Sequence, residues 1–532
     1  MNEQIFGVML DVSRNGVMKV NKVKQFIDYL SLMGYNTLEL YSEDMYEVKE
    51  LPELGYFRGP YTEVELIELD EYAASKGIEL IPCIQTLAHF TNFRKTKKGK
   101  EFLDCDDILL VDDDKTYYLI DLLFKTCSKC FKSRKINIGM DEAHNIGLGK
   151  YLDKNGYVNR QEILLRHLAK VSEIAAKYGY KCHMWSDMFV RLANHGEYYI
   201  DNNPDVKIDK SIKNKIPENI NIAYWDYYSV SEEHYKLHMD MHRKLDDNFY
   251  FAGGIHSWVG FSPANQYSIN CLLPAMKACK ESKVNNILLT MWGDCGKECS
   301  FFNLLPSLFA ASEFHKGNYD INKIKQKFYE LFSLDFDDFL LLDSCSFFKD
   351  TKHDDFFQII NRGPVYNDPM VPMLDVALSK HEHINYLEAS QKLNAVSKKY
   401  QNFKYLFDVQ SSLANFLYYK FDLSKLLRKS YQQNDKDKLK QLCSTIRKSI
   451  KALDTFKECF YKAYLEDNKS FGIEIHNIRL GGLKERLLFC EKTIKQYCSG
   501  KINSIDELSV NLIETEDVLS NYYQWINSPS EI

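Results

Sequence analysis

Between residues 5 and 318 a short apolar run is followed by a stretch with apolar residues at helical spacing, and this couplet returns eight times. The strand-like runs are Ile5–Leu10, Thr37–Tyr41, Glu79–Cys83, Ile136–Gly139, Lys181–Trp185, Asn221–Trp225, Tyr250–Gly253 and Asn286–Met291. Helical patterns such as Val20–Met33, Val64–Lys76, Arg160–Tyr178, Glu232–Leu245 and Tyr267–Ser282 lie between them. The alternation argues for βα units and a parallel sheet. Eight such units suggest a closed (β/α)8 TIM barrel of ordinary size, an α/β fold. The rival is an open doubly wound sheet. If it bound a nucleotide it would show a Gly-rich phosphate turn after the first strand, and Asp11-Val12-Ser13-Arg14-Asn15-Gly16 is not that turn.

From about Ile321 strand signals vanish. Lys/Glu/Leu-rich stretches at helical period take over: His381–Phe407, Ser411–Arg428, Lys436–Asp467, Asn477–Cys498 and Ile505–Gln524. Asp350–Pro372, with Asn361-Arg362-Gly363-Pro364, reads as an irregular connection. The 532 residues therefore divide into a barrel over residues 1–320 and an α-helical C-terminal domain over residues 321–532.

Composition narrows the function classes. The formal net charge is −6, with Lys and Arg scattered, which gives no support to binding of nucleic acid or a membrane surface. No apolar run reaches the roughly 20 residues of a membrane span. The opening MNEQIFGVMLDVSRNG lacks the parts of a signal peptide. With 14 Cys and no export signal, reduced thiols and a cytoplasmic location are expected. Cys127 and Cys130 form a lone CxxC without a second pair at zinc spacing, so they read as helix positions.

In a (β/α)8 barrel, chemistry sits in the loops after the C-terminal strand ends. Those positions hold Asp11 and Arg14, then Tyr41, Glu43 and Asp44, then Gln85 and His89, then Asp141 and Glu142. Strands five to eight contribute Trp185 and Asp187, then Tyr224, Trp225 and Asp226, then His256 and Trp258, then Trp292 and Asp294. Four of the chain's five Trp residues thus fall at consecutive strand ends. One Trp there is more often packing than ligand contact, and one Asp often caps the next helix; Asp187 is a good candidate for such a cap. The joint pattern suits a pyranose, whose C–H face packs on indole while its hydroxyls take charged hydrogen bonds.

Asp141-Glu142 is the sharpest element. An apolar lead-in, Ile136 to Ile138, delivers two adjacent carboxylates after Gly139. Joint ionisation of such a pair is resisted, so it stands at a solvated surface, where it does little, or at an active site, where one acid keeps its proton.

Asn137-Ile138-Gly139-Met140-Asp141-Glu142 resembles the His-x-Gly-x-Asp-Glu motif of glycoside hydrolase family 20, the β-N-acetylhexosaminidases. Leu10–Arg14, Thr86–His89, Met184–Asp187 and Met291–Asp294 are similar in order and place. The bacterial GcnA-type subgroup, with a helical domain after its barrel, is the most similar. Residues 5–320 carry the resemblance well and the helical third only loosely. Asn137 stands where the motif usually has His, and Glu39, Tyr41 and Glu43 replace a His-x-His-x-x-Asp-like run. The α+β domain that precedes the barrel in many members is expected to be absent.

The resemblance implies retaining hydrolysis of terminal β-linked N-acetylglucosamine or N-acetylgalactosamine through an oxazolinium intermediate, formed by the substrate's own 2-acetamido oxygen. Glu142 is then the general acid and base, and Asp141 orients the acetamide. Arg14 and Asp294 hold ring hydroxyls. His89, Trp185, Trp225, Asp226, Trp258 and Trp292 complete the substrate set, with Trp292 stacked under the ring. Tyr224 or Tyr227 contacts the acetamido oxygen. No metal or organic cofactor is needed. The expected partner is an oligosaccharide or glycoconjugate ending in such a sugar, and the helical third either forms a homodimer interface or caps the barrel.

Two rivals stay open at this level. A conventional glycosidase would pair Glu142 with Glu43 or Asp294 at about 5–5.5 Å and cleave plain glycosides. A non-catalytic sugar-binding barrel would bind without turnover.

Overall fold

A computed structural model describes residues 4–514 apart from 205, 207–209, 357–358 and 361. Eight parallel strands close into a barrel: β1 (Phe6–Asp11), β2 (Thr37–Tyr41), β3 (Glu79–Cys83), β4 (Lys135–Asn137), β5 (Lys181–Trp185), β6 (Ile220–Asp226), β7 (Tyr250–Gly254) and β8 (Asn286–Met291). Each strand pairs with the next, and β8 returns to β1 with Phe6 opposite Ile287. A two-stranded antiparallel hairpin, Leu103–Cys105 with Ile108–Leu109, sits in the long connection between β3 and β4.

The pleat divides the apolar residues into two layers, because side chains alternate across a strand. Val8, Leu10, Leu38, Leu40, Cys182, Met184, Ile222 and Tyr224 pack outward against the helices. Met9, Tyr41, Cys83, Trp185, Ala223, Ala252 and Leu288 fill the interior. The interior also buries a close polar contact, His183 Nε2 to Glu39 Oε1 at 2.7 Å.

β4 is shorter than the sequence pattern suggests. It pairs in register with β3 at Cys83 and Asn137, and Gly139 and Met140 then take left-handed φ values of 70° and 69°. Glycine is required at 139, since a Cβ there would lie 2.0 Å from Gln85 Oε1. Asn137 fixes the turn from the other side, its Oδ1 accepting the Gly139 N–H at 3.0 Å. The strand therefore ends two residues early and frees the acidic pair from the pleat.

Beyond the barrel, helices dominate and no strand forms among the described residues. The expected His381–Phe407 helix is broken into Tyr386–Ser397 and Lys404–Lys420 by a 3-10 turn at Gln401–Phe403. The second expected helix is broken too: Leu423–Gln432 starts after a turn at Phe421 and Asp422. Lys436–Asp467 forms as expected and packs beside Ile473–Cys498. Of the described part of the expected Ile505–Gln524 helix, Asp506–Ser509 is helical; residues 515–524 lie outside the described residues. This region has its own core, including Leu413, Phe416, Leu453, Phe456 and Leu487. Phe261 of the barrel enters that core, edge-on to Phe456 and Phe460 at 5.0 and 5.1 Å. Cys127 and Cys130 lie buried on the Asp114–Cys130 helix.

Candidate active site

A cleft of about 310 Å³ opens at the C-terminal ends of the strands. Arg14, His89, Asp141, Glu142, Trp185, Trp225, Trp258, Trp292 and Asp294 line it, joined by Tyr227, Tyr228 and Cys295. Tyr224 and Asp226, also singled out in the sequence, stand outside it. The pleat explains this: Ala223, Trp225 and Tyr227 face the interior cluster, so Tyr224 and Asp226 must face outward. There Tyr224 donates to Asp226 at 2.7 Å and stacks on His242, while His234 Nε2 lies 2.6 Å from Asp226.

The two acids are held very differently. Asp141 is pinned at both oxygens. Gln85 Nε2 donates to Oδ1 at 2.8 Å, and His89 Nε2 lies 3.0 Å from Oδ2. Burial resists ionisation of Asp141, but the His89 charge and hydrogen bond, with Gln85, outweigh it and hold the carboxyl below its ordinary value. Burial also works against a charged His89, and Asp141 overrides it, pushing the imidazole up to about 10. The pair is therefore an imidazolium–carboxylate couple at neutral pH. Glu142 is freer: its side chain is 45% exposed against 11% for Asp141, with Oε2 3.9 Å from His89. Its backbone is the fixed part. It has φ of 51°, and its N–H donates to Asp187 Oδ2 at 2.9 Å.

Asp187 thus serves a neighbouring strand end instead of its own helix. The N-cap position of the Asp187–Ala193 helix is Ser186. Burial, with Asp141 nearby, pushes the Asp187 carboxyl up to about 7.

The opposite wall is organised by Arg14. Its Nη1 lies 3.2 Å from Asp11 Oδ2, its Nε 3.1 Å from Asp294 Oδ1 and its Nη2 3.8 Å from Glu43 Oε1. The guanidinium also lies over Trp292, 4.6 Å from a ring centroid. Burial opposes the Asp11 charge, but Arg14 and the N–H groups of Gly293 and Ser13 prevail and lower its pKa. Burial dominates at Glu43, raising it to about 7 despite Arg14, and at Asp294, which is raised from its usual value. Tyr41 links the walls: its hydroxyl donates to Glu43 at 3.1 Å and accepts from Gln85 at 3.0 Å.

The sequence pattern placed Gln85, Glu43 and Asp187 at strand ends without revealing the contacts described above. Asn137, in the position of the motif's usual His, donates weakly to Glu39 at 3.5 Å.

The arrangement provides one fixed anion, one half-exposed carboxyl beside it, and aromatic walls rimmed by an Arg–Asp pair. That is suited to moving a proton at a leaving oxygen next to a site that stabilises positive charge.

The profile "Glycosyl hydrolase family 20, catalytic domain" matches residues 6–295, and "Glycoside Hydrolase 20C C-terminal domain" matches residues 337–521. Beta-hexosaminidase 3 of Arabidopsis thaliana is 24% identical over 206 residues, 35% of this chain and 38% of that protein. Beta-hexosaminidase subunit beta of Entamoeba histolytica is 27% identical over 158 residues, 26% of this chain and 28% of that protein. The chain thus spans less than half the length of these curated relatives. Among solved structures, a Vibrio harveyi GH20 exo-β-N-acetylglucosaminidase in complex with N-acetylglucosamine shares 17% identity at a TM-score of 0.48, over 64% of this chain and 59% of that one. A Bacteroides fragilis β-N-acetylhexosaminidase shares 19% at a TM-score of 0.44, over 62% of this chain and 71% of that one.

Proposed function

The chain belongs to glycosyl hydrolase family 20, and on that premise we propose that it is a retaining exo-β-N-acetylhexosaminidase working by substrate assistance. Its substrate class is an oligosaccharide or glycoconjugate ending in β-linked N-acetylglucosamine or N-acetylgalactosamine. One observation carries the reading. Of the three carboxylates that line the cleft among the described residues, Asp141 and Asp294 are held by partners at 2.8–3.1 Å, while Glu142 is the half-exposed one. Conventional retention needs a second carboxylate that can reach the anomeric carbon as nucleophile. Glu43, its other candidate, is buried behind Arg14 and does not line the cleft. A substrate that brings its own acetamido nucleophile removes the need.

In this reading Glu142 gives its proton to the glycosidic oxygen as the acetamido oxygen closes on the anomeric carbon and the C–O bond to the aglycone breaks. Asp141 accepts the acetamide N–H and stabilises the positive charge of the oxazolinium. The His89 cation keeps Asp141 ionised. Water then attacks the anomeric carbon, its proton passing to Glu142, as the C–O bond to the acetamido oxygen breaks; this regenerates the acetamide, the β configuration and the acid. Trp185, Trp225, Trp258 and Trp292 form the walls, with Trp292 under the ring. Arg14 holds hydroxyls at O3 and O4, and Asp294 at O4 or O6. Tyr227, which faces the cleft where Tyr224 does not, donates to the acetamido oxygen.

The same reading places the domain boundary at residue 320 and the chain in the GcnA-type subgroup; the C-terminal match over residues 337–521 supports a separate region after the barrel. A homodimer through the helical region also belongs to it. So does a cytoplasmic location. Among the described residues no helix is long and apolar enough to cross a membrane.

Proton NMR of the product as it forms tests the stereochemistry. The β-anomer should appear first and then mutarotate. First appearance of the α-anomer would rule out retention.

A further inference from the structure

We propose that the helical region is a positioning element of the active site, holding through Arg479, His476 and Arg362 the loop that carries Asp294. The loop follows β8, and three consecutive residues in it, Cys295, Gly296 and Lys297, take φ values of 61°, 133° and 57°. Two of them are not glycine, so the backbone is held where L-residues rarely settle. Such a conformation persists only when its surroundings determine it.

The surroundings come largely from the far end of the chain. Arg479, on the Ile473–Cys498 helix, donates to the Cys295 carbonyl. From the same helix, His476 Nε2 lies 2.8 Å from the Gly296 carbonyl. Asn15 Nδ2 donates to that same carbonyl at 3.1 Å and to the Gly472 carbonyl at 2.9 Å, tying barrel, loop and helix start together. Glu298 is fully buried and takes two hydrogen bonds from Arg362 at 2.8 and 2.6 Å, with Arg479 at 3.6 Å. The fit is close: a Cβ on Gly296 would lie 2.8 Å from Arg479 Nη1. Each contact falls one to four residues after Asp294, whose carboxylate lines the cleft. The barrel thus supplies the strand, and the helical region fixes where its loop ends up.

The functional consequence rests on the hexosaminidase reading, which assigns Asp294 to the O4 or O6 hydroxyl. The test compares an aryl N-acetyl-β-D-glucosaminide with its 4,6-dideoxy analogue, in wild type, Arg479→Met and Arg479→Lys. Amide hydrogen exchange at Gly293, Gly296 and Lys297 is followed in the same full-length proteins. Arg479→Met should raise KM for the parent sugar about ten- to hundredfold, the worth of a charge-assisted contact. It should leave kcat and the dideoxy KM nearly unchanged and speed exchange in the loop alone. Arg479→Lys, still able to donate, should recover part of the parent KM. Unchanged loop exchange with unchanged KM would overturn the proposal. So would an equal fall in kcat on both substrates with faster exchange throughout the barrel. If wild type cleaves neither sugar while exchange still responds only in the loop, the enzyme reading fails and the positioning role stands. His476→Leu, which cuts the separate bond to Gly296, repeats the test if Arg479→Met does not fold.

Discussion

On one side of the cleft, Asp141 and Glu142 are held by the barrel itself: Gln85 and His89 after β3, and Asp187 after β5. On the other side, Asp294 sits on a loop whose carbonyls and buried Glu298 are held by side chains 64 to 184 positions further along the chain. The first wall is built by neighbouring strand ends and should persist as long as the barrel is closed. The second is shared with the helical region. The difference teaches where tolerance lies: the wall of Asp141 and Glu142 is local, and on the proposed reading the wall of Asp294 is conditional on distant packing.

The sharpest way to break this comparison is at Glu142. Glu142→Gln should lower kcat on an unactivated glycoside by about 10²–10⁴-fold, the usual worth of a general acid. The loss should shrink with an activated aryl leaving group, which needs less protonation. Stability should barely move, because the side chain is half exposed. Wild-type turnover of the unactivated sugar would remove Glu142 from the chemistry.

A smaller effect is expected at His89. Its charge is what outweighs burial at Asp141. In His89→Gln the carboxyl should therefore titrate higher, and the acidic limb of the kcat/KM profile should move up by about one pH unit, roughly tenfold at a pH on that limb. A pH–rate profile identical to wild type would mean that Asp141 owes its charge to Gln85 and the backbone alone.

The least effect on turnover belongs to Asp187. Asn at this position still offers an oxygen to the Glu142 N–H, so activity should change little while the pH dependence of stability changes. Because burial raises Asp187 to about 7 from 3.8, the native state holds a proton that the unfolded chain has released. Stability from this group is present below about pH 4 and is lost as pH rises toward 7, at up to about 1.4 kcal/mol per pH unit. Denaturant unfolding of Asp187→Asn between pH 4 and 7 should show a shallower fall than wild type. Equal slopes would show that Asp187 ionises normally.

Much of this was legible in the sequence, for identifiable reasons. The βα alternation fixed eight strands, and Thr37–Tyr41, Glu79–Cys83, Lys181–Trp185 and Asn286–Met291 agree with the structure residue for residue. Errors arose where tertiary contacts override local pattern. β4 stops at Asn137 because Gln85 and Asn137 seize the turn at Gly139, which apolar content at Ile138 cannot reveal. Tyr227 could have been separated from Tyr224 by counting the pleat from Trp225, since inward residues recur every second position. Asp187 looked like a helix cap because its partner is a backbone N–H 45 residues earlier. Nothing near Asp294 in sequence announces Arg362 or Arg479, so the second wall is invisible until the helical region is folded against the barrel.

The central claim is that the nucleophile comes from the substrate, with Asp141 and Glu142 arranged around it. Its most direct test is hydrolysis of an aryl N-acetyl-β-D-glucosaminide beside the matching aryl β-D-glucoside. Cleavage of the N-acetylated sugar alone is the predicted result. Comparable cleavage of both would mean that a protein carboxylate attacks the anomeric carbon, and would contradict the account.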